Sequence, residues 1–300
     1  MWPKISLASD KDWDNLLAKD SAATFFHSRD WYSLAEKHYN HKIVPRLVSF
    51  ESGRRVLLPL SSHRHRGKLR KRFTSSPFGT YGSFLSDQVL AQDEINALWK
   101  LLSNFSSIVL RENPYSKLLN AYPDFTYMDF THAISLTDPW EEIFARMNKK
   151  QIPRKVRQAE KNGLVLKRIG TEYVPSYHRI YKKCQSRWGR VTSNYSEEFF
   201  EDLMSLHGCD FWGVFNSNGD IIGGGPLLKC NYHVVSWLTL ASPETFHQKP
   251  YEFAYFNLIR HYKEKGFRWF DFNPSGGHKG VAQFKENFGA EKINTGIVRK

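Results

Sequence analysis

The hydrophobic pattern changes period along the chain, and each change marks an element. In the last quarter Tyr251, Ala254, Tyr255, Leu258, Ile259 and Tyr262 recur at helical spacing. They predict an amphipathic helix over about 250–265, stopped by Gly266. Phe267, Trp269, Phe270 and Phe272 then predict a short aromatic strand. It empties into Asn273-Pro274-Ser275-Gly276-Gly277-His278, a run that cannot continue a strand, and a second helix follows. Loops at strand ends are where α/β proteins hold ligands, so Ser275, Gly276 and Gly277 are candidate substrate-binding residues.

The same succession occurs earlier. Residues 50–60 and 215–228 each read as strand, polar turn with Gly, strand and Pro-Leu, the pattern of a β-hairpin. Helix 93–105 and strand 107–111 stand to the first hairpin as helix 250–265 and strand 267–272 stand to the second. Upstream of each hairpin lie two helices. The first pair covers about 10–18 and 29–39, with Ser9 and Ser28 as caps. The second covers about 173–187 and 196–206, with Asn194-x-x-Glu197 in the place of a capping box. Each half therefore reads as an α+β domain, a mainly antiparallel sheet flanked by helices. The halves are expected at 1–135 and 136–300, divided at the helix start Thr137-Asp138-Pro139-Trp140.

Composition narrows the partners. No apolar run approaches the ~20 residues of a membrane-spanning helix. The first ten residues lack the apolar region of a signal peptide, so a cytoplasmic location is expected. The three cysteines are too scattered for a disulfide framework. Formal net charge is +13, which favours polyanionic partners: nucleotides, transfer RNA, sugar-nucleotide diphosphates or anionic lipid head groups. The charge is clustered, first at residues 63–72, a basic loop between strands. The second cluster is helical: Lys150, Arg154, Arg157 and Lys161 make one positive stripe, with Gly163 closing the helix. Arg154 and Arg157 are expected to face a groove and bind phosphate.

Four motifs carry a resemblance. Phe26-His-Ser-Arg-Asp-Trp31 is similar to an F-x-S-x-x-W opening. Thr74–Gly82 is similar to S-x-P-F-x-x-Y-G-G, with Ser83 in place of the last Gly. Helix 151–163 resembles R-x-x-I-R-K-A-x-K-x-G-V. The end of the chain resembles a strand closing in S-G-G followed by F-K-x-x-F-G, here Phe284-Lys285-Glu286-Asn287-Phe288-Gly289. In this order they resemble the FemABX-type and FemAB-related acyltransferases, a branch of the GNAT superfamily. The resemblance implies two tandem GNAT-like (acyl-CoA N-acyltransferase) domains and transfer of an acyl or aminoacyl group without a covalent intermediate. It implies an acyl-CoA or aminoacyl-tRNA donor and no certain cofactor. The implied acceptor is an amine on a sugar nucleotide, cell-envelope or polysaccharide precursor, anionic or nucleotide-linked, with peripheral membrane contact conceivable. It also implies substrate-binding roles for Trp31 and Tyr81 and a catalytic role for Lys285, whose ammonium suits a developing negative charge.

Two departures bear on the donor. CoA-using GNAT enzymes carry a glycine-rich turn before the pyrophosphate helix, and the matching stretch, Thr245–Phe253, has no Gly. The long helical arm of many cell-wall FemABX enzymes is also absent.

The remaining chemistry can be read from residue types. Gly223-Gly224-Gly225-Pro226 marks either a bulge that admits a ligand or a kink in a half-buried strand. Asp271, at the strand end, is the preferred acid/base candidate, with His278 and Glu286 as others. Trp237 and Tyr255, and also Trp188, offer faces for a sugar or base unless they are core. His207, Cys209, Cys230 and His233 are zinc-type ligands. On one regular strand Cys230 and His233 would point to opposite faces, so no metal is expected. The competing class is a non-catalytic basic protein that binds RNA, nucleotide or a membrane surface on the same fold.

Overall fold

The computed structural model describes residues 3–64, 71–75, 77–116, 127–188 and 194–300. The centre of the first basic cluster, 65–70, lies outside the described residues, as does Ser76. The chain divides into two compact units, one of residues 1–130 with 293–300, the other of residues 131–292. The last strand of the chain packs in unit 1.

Unit 1 comprises β1 (Lys4–Leu7), α1 (Asp10–Lys19), α2 (Arg29–Tyr39), β2 (Lys42–Ile43), β3 (Arg46–Ser49), β4 (Arg55–Leu58), β5 (Ser61–Arg64), β6 (Lys71–Thr74), β7 (Leu85–Ser86), α3 (Gln92–Ser103) and β8 (Ile108–Arg111). Both predicted caps form. Ser9 accepts from the Asp12 N–H while the Asp12 carboxylate accepts from the Ser9 N–H, and Ser28 accepts from the Trp31 N–H at 3.3 Å. The hairpin β3–β4 turns at Gly53, where φ is +83°. Its first strand ends at Ser49, and the Phe50 N–H donates across the turn to the Arg54 carbonyl at 3.0 Å. One sheet has the order β1-β3-β4-β7. Beside it β2, β5, β6 and β8 pair in succession, β6 and β8 in parallel. Val56, Leu58, Phe84, Leu98, Leu102, Ile108 and Leu110 make the core under α3.

Trp31 and Tyr81 belong to the interior of unit 1, and this corrects the binding roles expected for them. Both are fully buried. The Trp31 indole N–H donates to Thr80 Oγ1 at 3.0 Å, and its ring packs on Phe25, Phe26 and Phe78. Tyr81 packs edge-on against Phe26. The two motifs hold each other: His27 Nε2 meets the Gly82 carbonyl at 2.8 Å and the Tyr32 hydroxyl donates to the Ser75 carbonyl. A Cβ at Gly82 would stand 1.8 Å from the Ser75 carbonyl oxygen, so only glycine fits. Ser83, in the place of the motif's last Gly, has φ +85°, a region that favours glycine.

Unit 2 is built from β9 (Tyr127–Ser135, of which 131–135 lie here), α4 (Trp140–Arg146), α5 (Ile152–Lys161), β10 (Val165–Arg168), α6 (Val174–Arg187), α7 (Glu197–Ser205), β11 (Cys209–Phe215), β12 (Ile221–Cys230), β13 (His233–Ser236), β14 (Leu240–Ala241), α8 (Pro250–Glu264), β15 (Trp269–Asp271) and α9 (Lys279–Glu286). The sheet order is β10-β11-β12-β13-β15-β9, with β14 on β12. Only β13–β15 is parallel; the other pairs are antiparallel. The final strand, β16 (Glu291–Arg299), places Ile297–Arg299 against Arg111–Val109 of β8 in unit 1. An α+β fold with mainly antiparallel pairing is thus observed. Among the described residues each unit has one parallel pair, and the second strand of each pair runs into Asn-Pro, at Asn113-Pro114 and Asn273-Pro274.

Two local expectations are corrected in unit 2. The cap of α7 is Ser196, which accepts from the Phe199 N–H at 3.2 Å; Asn194 instead binds Lys182. Cys230 and His233 are not on one strand but face each other across the β12–β13 turn, because Asn231 adopts φ +46° and reverses the chain. As direct cross-strand partners they share one face of the sheet, not opposite faces. His207 is exposed, two residues before buried Cys209.

Candidate active site

The sheet of unit 2 opens at one point. β13 runs beside β15 as far as the Val235–Asp271 pair. Beyond it the chain parts from β15 but stays on β12, which it pairs again as β14 opposite Gly223 and Gly224. Three glycines permit this. A Cβ at Gly224, where φ is +138°, would stand 2.0 Å from the Trp212 carbonyl oxygen, and one at Gly225 would stand 2.7 Å from that of Leu238. The glycine run is therefore a close backbone approach, which a simple kink would not require. Leu238 adopts φ +49° at the departure, with its carbonyl held by the Tyr177 hydroxyl. The segments 236–239 and 271–275 diverge, and the Asn273 side-chain amide donates across their base to the Ser236 carbonyl at 3.2 Å.

Polar side chains gather at this divergence. Ser236 Oγ lies 2.7 Å from Thr239 Oγ1 and 3.0 Å from the Tyr255 hydroxyl. Burial pushes the Tyr255 phenol above its ordinary range, so it stays protonated and can donate. Asp271 is fully buried, and its Oδ1 accepts from Thr131 Oγ1 and the Asn273 N–H, both at 2.7 Å. Those bonds fix Asn273 at φ +66° and hold the loop that follows. Asp271 is thus bound into the turn and is not presented as a free base. Ser275 is buried, while Gly276 and Gly277, at φ +57° and +80°, are exposed on the turn.

Lys285 is only 5% exposed. α9 packs Phe288 into the core and Phe284 against it, and this rolls the intervening lysine toward the loop. Its Nζ donates to the Asn273 carbonyl at 2.5 Å, so the ammonium is fixed at the base of the divergence. A buried ammonium is costly unless bonded, which makes this placement specific.

Residues of β9 complete the group. His132 is fully buried, with Nδ1 3.5 Å from Ser275 Oγ and Nε2 3.5 Å from Glu286 Oε1. Burial lowers its pKa; Glu286 opposes this, while Lys285 and Lys292 add to it. Lys292 stands 3.2 Å from the Glu286 carboxylate and is the main reason that group lies below its usual range. Thr131 and His132 were not singled out from sequence. They lie about 140 residues before Asp271, and no local pattern marks them.

The other expected site residues lie elsewhere. The Tyr255 ring packs on Phe270, Phe272, Phe284 and Phe288, leaving its hydroxyl as the part that reaches the site. Trp237 is buried between Tyr195 and Phe199. Neither ring offers an open face to a ligand. Arg154 and Arg157 are exposed on α5 with Lys150 and Lys161, while Ile152, Val156 and Ala159 face the core. A cavity of about 420 Å³ lies under α6, lined in part by Arg179, Lys183, Asp220 and Glu244. Lys183 and Glu244 bond each other there.

The start of α8 bears on a CoA donor. Its first residue is Pro250, which has no N–H, and its first turn carries Glu252. That carboxylate is paired with Lys155 at 3.0 Å. A pyrophosphate cradle needs free N–H groups and positive charge at this point; Pro250 removes one N–H and Glu252 adds a carboxylate, while the N-cap Lys249 supplies a positive charge.

Residues 146–286 match the family described as acetyltransferase (GNAT) domain. Among solved structures, FemX matches with a TM-score of 0.73 at 12% identity, covering 97% of this chain and 96% of its own. The chain has the FemABX-like GNAT fold. A second structure on the same GNAT-like plan is the C-terminal domain of a putative lysylphosphatidylglycerol synthetase from Agrobacterium fabrum, with TM-score 0.61 and 11% identity over 97% of this chain and 90% of that one. L-PGS from Bacillus licheniformis matches at 0.59 and 11%, over 98% and 93%. The comparison with curated proteins gave no match. The chain carries the domain of an acyltransferase.

Proposed function

We propose that this acyltransferase moves an acyl or aminoacyl group onto an amine of a sugar nucleotide, envelope or polysaccharide precursor, with the reaction in unit 2 at the β14–β15 divergence. The observation that carries this reading is the buried Lys285 ammonium at the base of that divergence. Direct acyl transfer builds negative charge on the carbonyl oxygen as the amine attacks. A fixed cation and neutral hydroxyl donors, here Tyr255 and Thr239, stabilise that charge without reorganising. The glycine-free stretch before α8 and the Glu252 carboxylate in its first turn favour an aminoacyl-tRNA donor over acyl-CoA. FemX and the lysylphosphatidylglycerol synthetases share the fold, and the latter name pairs an amino acid with a lipid head group.

The test begins with donors. Purified protein is incubated with acyl-CoA or aminoacyl-tRNA and with amine acceptors, and products are read by mass spectrometry. Transfer from aminoacyl-tRNA and not from acyl-CoA is expected. Lys285→Met keeps most of the buried stem and removes the charge. It should lower kcat by a factor of ~100–1,000, the range for one lost oxyanion donor. Wild-type turnover in a folded Lys285→Met overturns the assignment, and failure of every donor favours the binding-protein alternative.

A further inference from the structure

A base for the acceptor amine is not supplied by Asp271, which is bound into its turn. The geometry offers another path. Ser275, His132 and Glu286 stand in line, with hydroxyl oxygen to ring nitrogen and the other ring nitrogen to carboxylate both at 3.5 Å. The three differ in access. His132 is sealed from solvent, Ser275 is buried beside the exposed Gly276-Gly277 turn, and the Glu286 side chain is 34% exposed. We propose that Ser275, His132 and Glu286 form a proton relay that carries the acceptor amine's proton from the divergence to solvent. This rests on the acyl-transfer reading given above.

The steps balance. The acceptor ammonium gives one proton to Ser275 Oγ as the hydroxyl's own proton passes to His132 Nδ1. The Nε2 proton of His132 passes to Glu286, which releases it to water. The freed amine attacks the donor carbonyl and the C–N bond forms. The C–O or C–S bond to the carrier breaks, and the second nitrogen proton goes to the leaving oxygen or sulfur. Distances of this length shorten on substrate binding in many enzymes.

The charged surroundings fit a relay that starts with a neutral ring. Burial and the cations Lys285, on α9, and Lys292, at the start of β16, disfavour the imidazolium. Glu286 faces Nε2 and favours it, while Asp271 stands on the neighbouring strand bonded to Thr131. Lys292 keeps Glu286 ionised and ready to receive.

Two measurements test the relay. The first needs no donor. In wild type the His132 ring, followed by nitrogen-15 NMR, should be neutral at pH 7, and Glu286→Gln should move its titration to lower pH because a stabilising carboxylate is removed. A ring that ignores Glu286→Gln overturns the relay. The second uses the donor found above. His132→Gln and Ser275→Ala, each checked for an unchanged thermal midpoint, should lower kcat by ~100-fold or more, the scale of general base catalysis, with donor KM unchanged. The loss should shrink as pH rises, because the amine then deprotonates in solution. A destabilised His132→Gln is replaced by Glu286→Gln, whose partly exposed side chain spares the core. A wild-type pH profile in these variants overturns the relay and leaves acyl transfer standing. No transfer by wild type overturns the acyl-transfer reading and the relay with it.

Discussion

Single residues show where the sequence motifs store structure and where they store chemistry. Ser28, Trp31, Tyr81 and Gly82 fasten unit 1 from inside. Lys285 and Asn273 instead spend a buried ammonium on one carbonyl. Glu112 is a buried carboxylate at the end of β8, accepting from the Gly296 N–H at 3.1 Å. Burial raises its pKa to about 7 against that bond. A raised carboxylate favours the protonated form in the fold, so its stabilising effect is full below its unfolded value near 4.5 and is lost as pH rises through about 7. Glu112→Gln should therefore raise the unfolding free energy at pH 8, by about 1 kcal/mol or more, and leave it nearly unchanged at pH 5, as denaturant titrations at the two pH values would show. Equal effects at the two pH values would remove the titration from the account.

At the level of elements, α5 presents a plain division of labour. Its apolar side anchors unit 2, Lys155 reaches Glu252 on α8, and Lys150, Arg154, Arg157 and Lys161 stay in solvent. If the stripe binds a polyanion, Arg154→Ala with Arg157→Ala should weaken tRNA binding and reduce the slope of log K against log salt by about 1.5, near 0.7 for each lost phosphate contact. Thermal stability should hold within ~0.5 kcal/mol, since both side chains are exposed. Unchanged affinity and slope would make the stripe a solvated face.

For the whole molecule, the last strand is the test of architecture. Ile297 and Val298 are buried against β8, and Thr295 and Gly296 bond Glu112. Deleting residues 293–300 should strip amide protection from β8 and lower the unfolding transition of unit 1. Hydrogen exchange on the truncated chain reads this directly. Full protection of β8 after truncation would show that β16 adds nothing to unit 1.

The sequence by itself determined the local elements. Periodicity, Ser caps and Gly stops are short-range, so α1, α2, α8 and the two hairpins were legible within a few residues. The closing motif located the loop and Lys285 for the same reason. Burial was not legible. Trp31, Tyr81, Trp237 and Tyr255 have side chains that suit a binding face or a core, and only packing decided for the core. The burial of Lys285 was decided by Phe284 and Phe288, which fix the roll of α9. Asn231 reversed the chain between Cys230 and His233 through a backbone angle that residue type alone did not announce. His132 and Thr131 reached the site from a strand about 140 residues away, and β16 returned to unit 1 after the whole of unit 2. Such pairings depend on strand register across the sheet, a long-range choice made by tertiary packing and not by any neighbouring residue.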